Sequence, residues 1–215
     1  MREFLFPVLA ILLLAGCAAP RTQAPVAIYD FGLQRLSDAP NAPDASSRPR
    51  LSASLLVAVT SPAWLDSPGI QYRLAYHDLA QSYIYASNRW AAAPATLLTQ
   101  RIKTRIADVS NDGVVSISDG TRADYALRLE LEEFTQVFDT VDQSRAVVKM
   151  RASLIDRSTR LLLAQRSFST EQAAPTADAA GAVRALTKAS DKLIDNLIGW
   201  LAEKLPEEKE ELSSK

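Results

Sequence analysis

Cysteine and histidine each occur once in the 215 residues. A single thiol cannot close an internal disulfide, so the folded part must stand on its own core. A single histidine, His77, cannot build a His-rich metal site. Beside Asp78 it reads as a loop or surface residue rather than half of a triad. Glycine is scarce too, at 7 residues, and none forms a glycine-rich phosphate loop or a G-x-S-x-G nucleophile elbow. Lysine plus arginine (24) nearly balance aspartate plus glutamate (25), so no global field recruits nucleic acid. Glu132 and Glu133 fall in a strand pattern and are expected on opposite faces, unlike the paired acids of a glycosidase. These absences make an enzyme the weakest class and call for no cofactor and no metal. No apolar run reaches the roughly 20 residues that span a bilayer.

What is present begins with a charged start, Met1-Arg2-Glu3, and an uncharged run from Val8 to Leu14. A short apolar core that ends in small residues is the pattern of a secretory signal peptide. The segment Leu13-Leu14-Ala15-Gly16-Cys17 resembles the lipobox of bacterial lipoproteins. The resemblance implies removal of residues 1–16 and acylation of Cys17, with palmitate-type chains as the covalent lipid. Each buried CH₂ contributes about 0.8 kcal/mol, so two or more chains anchor stably where one does not. Residue 18 is alanine, not the aspartate that retains lipoproteins at the inner membrane of enteric bacteria. The expected location is therefore the periplasmic face of the outer membrane.

Residues 17–25 form a small, polar, Pro-containing spacer, 26–205 a single compact domain and 206–215 a charged tail. Val26 to Leu33 is β-branched and aromatic and predicts a first strand. Ser37 to Arg50 carries three prolines and predicts a surface loop. Leu55 to Thr60 is continuously apolar and predicts a strand covered on both faces. Ile70 to Leu74 alternates, and Tyr83-Ile84-Tyr85 predicts another short strand. Pro94 opens a helix with Leu97, Leu98, Ile102, Ile106 and Val109 at helical spacing. Val114 to Ser118 is a strand candidate. Tyr125, Leu127, Leu129 and Leu131 alternate with charges, and the phase changes to Phe134 and Phe138, which predicts a bulge near Glu132-Glu133. Ala146 to Leu154 and Leu161 to Phe168 complete an antiparallel meander around a tight turn at Asp156-Arg157-Ser158-Thr159. A last amphipathic helix starts at Pro175-Thr176, with Thr176 as N-cap and Asp178 in the first turn. Its stripe is Val183, Leu186, Leu193, Ile194, Leu197, Trp200 and Leu201. The fold class is α/β, with α+β as the alternative. One mixed, mostly antiparallel sheet carries two main helices.

The densest aromatic stretch runs from Trp64 to Trp90. Trp64, Tyr72, Arg73, Tyr83, Tyr85, Arg89 and Trp90 are candidates for docking a partner, because Trp, Tyr and Arg dominate interface energetics. Core and edge packing is the competing reading for each.

The same stretch carries a resemblance. Val57-Ala58-Val59, Pro62, Leu65-Asp66-Ser67-Pro68, Ile70-Gln71-Tyr72-Arg73, Tyr83 and Arg89-Trp90-Ala91 with Pro94 resemble the ABC-type transport auxiliary lipoproteins. Tyr29-x-Phe-x-Leu33 and Asp156-Arg157-x-Thr159-x-Leu161-Leu162 fit as well, and Gly69 departs from the pattern. The resemblance implies a non-catalytic outer-membrane subunit that docks a mammalian-cell-entry (MCE) domain protein of a transport system for lipids or hydrophobic solutes. A ring-shaped partner would favour a homo-oligomer. No catalytic residues carry over. The alternatives are a lipid-binding carrier, recognisable by a wide apolar cavity, and an envelope-assembly or tethering lipoprotein unrelated to transport.

Overall fold

The computed structural model describes residues 25–32, 50–110, 114–115 and 122–205. Cys17, the Pro-rich loop and the charged tail lie outside the described residues. The strands are β1 (Ala27–Tyr29), β2 (Leu55–Thr60), β3 (Gly69–Leu74), β4 (Asp78–Trp90), β5 (Val114–Val115), β6 (Tyr125–Phe138), β7 (Ser144–Asp156) and β8 (Leu162–Ala173). The helices are α1 (Pro94–Ala107) and α2 (Ala179–Lys204). All eight strands join one mixed sheet.

The centre of that sheet is β6. On one side it pairs antiparallel with β7 along its whole length, and β8 continues the meander. On the other side two strands share its edge end to end. β2 runs parallel to it from Tyr125 to Glu130, and β3 runs parallel from Gln136 to Phe138. Between β2 and β3 the chain leaves the sheet for a 3-10 turn, Ala63–Leu65, and returns. β4 flanks β3 antiparallel, and β1 adds three residues parallel to the end of β4. The longest ladders are antiparallel and the short ones mostly parallel.

The predicted bulge is present: the β6–β7 register shifts between Leu131 and Glu133. Its effect is to hold the apolar side chains on one face. Leu127, Leu129 and Leu131 before the bulge and Phe134 after it are all buried. Both helices pack on that face. In α2, Val183, Leu186, Leu193, Ile194, Leu197, Trp200 and Leu201 are buried as the 3.6-residue period requires. Within this core Phe31 packs edge-on against Trp90 and Phe134, which are tilted against each other, with ring centroids 5.6–6.1 Å apart. The two helices are tied by a bidentate ion pair, with Arg101 Nε 2.6 Å and Nη2 2.8 Å from the two Asp191 carboxylate oxygens. Arg105 pairs with Asp195 one turn on.

Several expectations are corrected. Tyr83-Ile84-Tyr85 is the middle of a 13-residue strand, not a short one. β1 is shorter than Val26–Leu33 because Phe31 turns into the core and Gly32 takes φ +69°. β2 is not covered on both faces: Leu55 and Val57 are buried under α1, while Leu56 and Ala58 are only half covered. Within the described residues β5 is limited to Val114–Val115. The N-cap of α2 is Asp178, not Thr176. Its carboxylate accepts from the Gly181 amide at 2.6 Å, and Thr176 donates to that carboxylate at 2.8 Å. Asp outcompetes Thr here because a charged acceptor strengthens the bond and complements the helix dipole.

Candidate functional site

The two faces of the sheet differ sharply, and the candidate surface lies on the open one. Alternation along β6 and β7 places Glu130, Arg145, Lys149 and Arg151 away from the helices. Their charges are mostly satisfied across strands. Arg151 lies 2.6 Å from Glu132 and 3.8 Å from Glu130, and Arg145 pairs with Asp139 and, at 3.0 Å, with Glu171. The bulge turns both Glu132 and Glu133 to this face, which corrects the expectation that they point apart. Each is held by its own arginine, Arg151 for Glu132 and Arg73 at 3.5 Å for Glu133. They are therefore not a free acid pair. Thr135, Val137 and Val147 are buried on this face even though neither of the two described helices packs on it.

The exception is the corner formed by β3 and β4. Trp64, on the 3-10 turn, is 46% exposed. Its position is fixed from behind, because Gln71 Nε2 donates to its carbonyl at 2.7 Å. The Arg73 guanidinium sits 6.0 Å from the Trp64 ring centre and donates to the Leu79 carbonyl at 2.9 Å. Arg89 is exposed at the far end of β4, between Gly69 and Ile28 in register. Ile28 and Ile84 are both exposed beside it. Gly69 leaves room at this spot: a Cβ there would lie 2.9 Å from Ile84 Cγ2, so the exposed Ile84 side chain would have to shift. The glycine that departs from the family pattern is thus the space into which Ile84 packs.

The tyrosines lie on the opposite side of the same two strands. Tyr72 stacks on Tyr83 at 5.1 Å and lies 4.7 Å from Tyr85 and 5.7 Å from Phe138. Tyr85 Oη donates to Gln136 Oε1 at 2.7 Å, and Gln136 Nε2 donates to Ser144 Oγ at 2.7 Å and to the Asp178 carbonyl at 3.4 Å. Burial, followed by the nearby Tyr72 and Asp178, pushes the Tyr85 hydroxyl well above its ordinary range. It is a neutral donor that ties β4 to β6 and, through Gln136, to the start of α2.

The sequence candidates therefore separate into three groups. Trp64, Arg73 and Arg89 share the open face. Tyr72, Tyr83 and Tyr85 form a half-buried stack on the other side. Trp90 is a correction: at 1% exposure it is core, because β4 turns it inward against Phe31 and Phe134, and no partner can reach it. Ile28 and Ile84 were missed. Each is a β-branched residue inside a strand pattern, and only the pairing register shows that its face stays uncovered.

His77 sits exposed in the turn after β3, its amide donating to the Leu74 carbonyl. Among the described residues no three His, Cys, Asp or Glu side chains gather as a metal site, and no helix is long and apolar enough to cross a membrane. Two surface grooves flank α2. One of about 500 Å³ is lined by Arg166, Phe168, Asp195, Trp200 and Glu203, and one of about 350 Å³ by Phe31, Val183, Lys188 and Asp191. Both are open to solvent and carry charged residues.

The sequence matches the family model of the ABC-type transport auxiliary lipoprotein component over residues 33–197. The chain belongs to that family. Among solved structures, a protein of Xanthomonas campestris, XCC0632, superposes with a TM-score of 0.69 at 21% identity, covering 83% of this chain and 96% of that one. An uncharacterized protein superposes with a TM-score of 0.59 at 17% identity, covering 83% and 99%. These likenesses show a shared fold. Among curated proteins none matches the sequence.

Proposed function

We propose that this auxiliary lipoprotein is a non-catalytic subunit anchored to the outer membrane through Cys17, and that it docks the periplasm-spanning MCE-domain component of a transport system for lipids or hydrophobic solutes. The observation that carries the transport role is the family match across most of the domain. The open-face corner supports docking and gives it an address. Trp64, Ile28 and Ile84 supply apolar area and the exposed Arg89 supplies charge-assisted hydrogen bonds, while Arg73, engaged by Glu133 and the Leu79 carbonyl, lies beside the Trp64 ring; this is the composition that interface hot spots favour. Elsewhere the open face is largely closed by its own ion pairs, so this corner is where a partner gains most from covering it.

Two experiments test the reading. In a pull-down of the MCE-domain partner, Arg89→Glu and Trp64→Ala should lose capture at an unchanged melting temperature. Full capture by both variants would remove the corner from the interface. In cell fractionation, Cys17→Ser should leave the chain unprocessed or mislocalised, and Ala18→Asp should shift it inward in an enteric host. Normal outer-membrane recovery of both would overturn the anchoring.

A further inference from the structure

The family motif at Asp156-Arg157-x-Thr159-x-Leu161-Leu162 has no part in the docking corner. It forms the β7–β8 turn, at the end of the sheet where β6 begins. Asp156 accepts from the Ser158 amide at 2.7 Å, the Ser158 hydroxyl at 2.6 Å and the Thr159 amide at 3.0 Å. Those hydrogen bonds hold its carboxyl below the usual range. Arg160 takes φ +62°, a left-handed conformation that is strained for a non-glycine residue. The next three residues are Leu161, Leu162 and Leu163, exposed by 63, 56 and 47%. The β7–β8 register slips here, Leu154 pairing with Ala164 and Ile155 with Leu162, so Leu163 is the extra residue of a bulge. A bulge re-aims side chains, and here it breaks the alternation that would send one leucine back under α2.

The cations beside this tip are Arg157 and Arg160, with Arg122 at its base, and all three are exposed. Arg157 is oriented by donation from Nη1 to the Ala123 carbonyl at 3.0 Å. Among the described residues, Asp156 and Asp124 at this end are engaged internally, Asp156 in the turn and Asp124 by the Ser54 hydroxyl at 2.6 Å. Consecutive exposed leucines ringed by arginines match a phospholipid interface. The leucines enter the acyl boundary, and the arginines keep their heads among the phosphates.

We infer that the β7–β8 turn is a second membrane contact, in which Leu161, Leu162 and Leu163 dip into the same bilayer that holds the Cys17 lipid and Arg157 and Arg160 bind anionic headgroups. The inference rests on the acylation of Cys17 proposed above. Chain length permits it. By the strand registers Ala27 stands level with the bulge of β6, while Leu162 stands level with Ala126. The offset is roughly 26 Å at the rise of a strand. The chain from Cys17 to Ala27 reaches at most about 33–36 Å. Tether and tip can therefore meet one surface, with the domain lying over it in a fixed orientation.

The test uses the full-length mature protein in vesicles of phosphatidylethanolamine and phosphatidylglycerol. Leu162→Cys, and separately Val141→Cys, would carry a polarity-sensitive fluorophore. Val141 is 76% exposed in the turn at the other end of β6. The expected result is a blue-shifted Leu162 probe that is quenched by spin-labelled lipid, beside a Val141 probe that stays aqueous. Adding Leu161→Ser and Leu163→Ser should abolish the shift, and Arg157→Glu with Arg160→Glu should weaken it. A Leu162 probe as aqueous as the Val141 probe, on protein that floats with the vesicles, overturns the proposal while leaving the anchor intact. A shift that appears only when a purified protein partner is added also overturns it. Mass spectrometry of the mature chain reads acylation separately. If acyl groups are absent the anchoring fails, and quenching at Leu162, titrated with lipid, still decides for or against the tip.

Discussion

The two faces of this sheet are made by the same strands, yet they are stabilised differently. On the helix face, β6 contributes Leu127, Leu129, Leu131 and Phe134 to a filled core. On the open face it contributes Glu130, Glu132 and Glu133 to cross-strand ion pairs with arginines of β7 and β3. Apolar burial contributes about 25 cal/mol per Å² on the first face. On the second, exposed ion pairs contribute between nothing and about 1 kcal/mol each. Stability thus belongs to one face. The other is freer to be chosen for what it meets, and it presents exposed apolar side chains at the β3–β4 corner, with Ile28, Trp64 and Ile84, and again at Leu162 beside the β7–β8 turn.

The widest contrast compares the two tryptophans. Trp90→Ala should cost about 3–5 kcal/mol, since it empties a site that Phe31 and Phe134 close around. Trp64→Ala should stay within roughly 0.5 kcal/mol, the range of an exposed substitution. Urea denaturation of both variants measures the difference. A Trp64 loss as large as the Trp90 loss would make the open-face corner part of the core. Leu193→Ala, in the buried stripe of α2, should follow at about 2–5 kcal/mol.

Next come the polar groups that join the two layers. Gln136 is wholly buried, and its amide connects Tyr85, Ser144 and the Asp178 carbonyl. Gln136→Ala should cost about 1–3 kcal/mol, because buried partners are left unpaired. Tyr85→Phe, which deletes one donor, should cost about 1 kcal/mol. Asp178→Ala should cost about 0.5–2 kcal/mol through the lost cap. This effect has a pH signature. The Gly181 amide, then Thr176, hold the Asp178 carboxyl below its ordinary value of 3.8. A depressed carboxylate stabilises the fold above its unfolded value and loses that contribution as pH falls through the folded value. The stability curves of wild type and Asp178→Ala should therefore converge below about pH 4. A constant gap down to pH 2 would mean the charge is not what caps the helix.

How legible all this was in the sequence follows the same division. The helix face was readable because period and polarity agree: the α2 stripe, the meander and the β6 bulge each leave a phase signal that needs no partner. The cap was misplaced by two residues because Thr176 and Asp178 both satisfy the local rule, and only the helix axis decides between them. Strand pairing beyond the meander was not readable. That β2 and β3 share one edge of β6, or that Ile84 lies over Gly69, depends on contacts far apart in sequence. The candidate site was half legible for the same reason. Residue type singled out Trp64, Arg73 and Arg89, but it also singled out Trp90, and nothing in Asn88-Arg89-Trp90 states which of its side chains faces inward.

The smallest expected effect is the sharpest test of the two-face comparison. Arg151 pairs with Glu132 at 2.6 Å and with Glu130 at 3.8 Å, a geometry that looks stabilising. All three side chains are substantially exposed, so water screens the attraction and ordering the long side chains costs entropy. Arg151→Ala should therefore change stability by no more than about 1 kcal/mol, and less at high salt. A double-mutant cycle with Glu132→Ala isolates the pair, and its coupling should fall toward zero in 1 M salt. A coupling of several kcal/mol that survives salt would show that the open face is as structural as the covered one. In that case Arg73, paired with Glu133 beside Trp64, would have to be counted with the fold rather than with the docking surface.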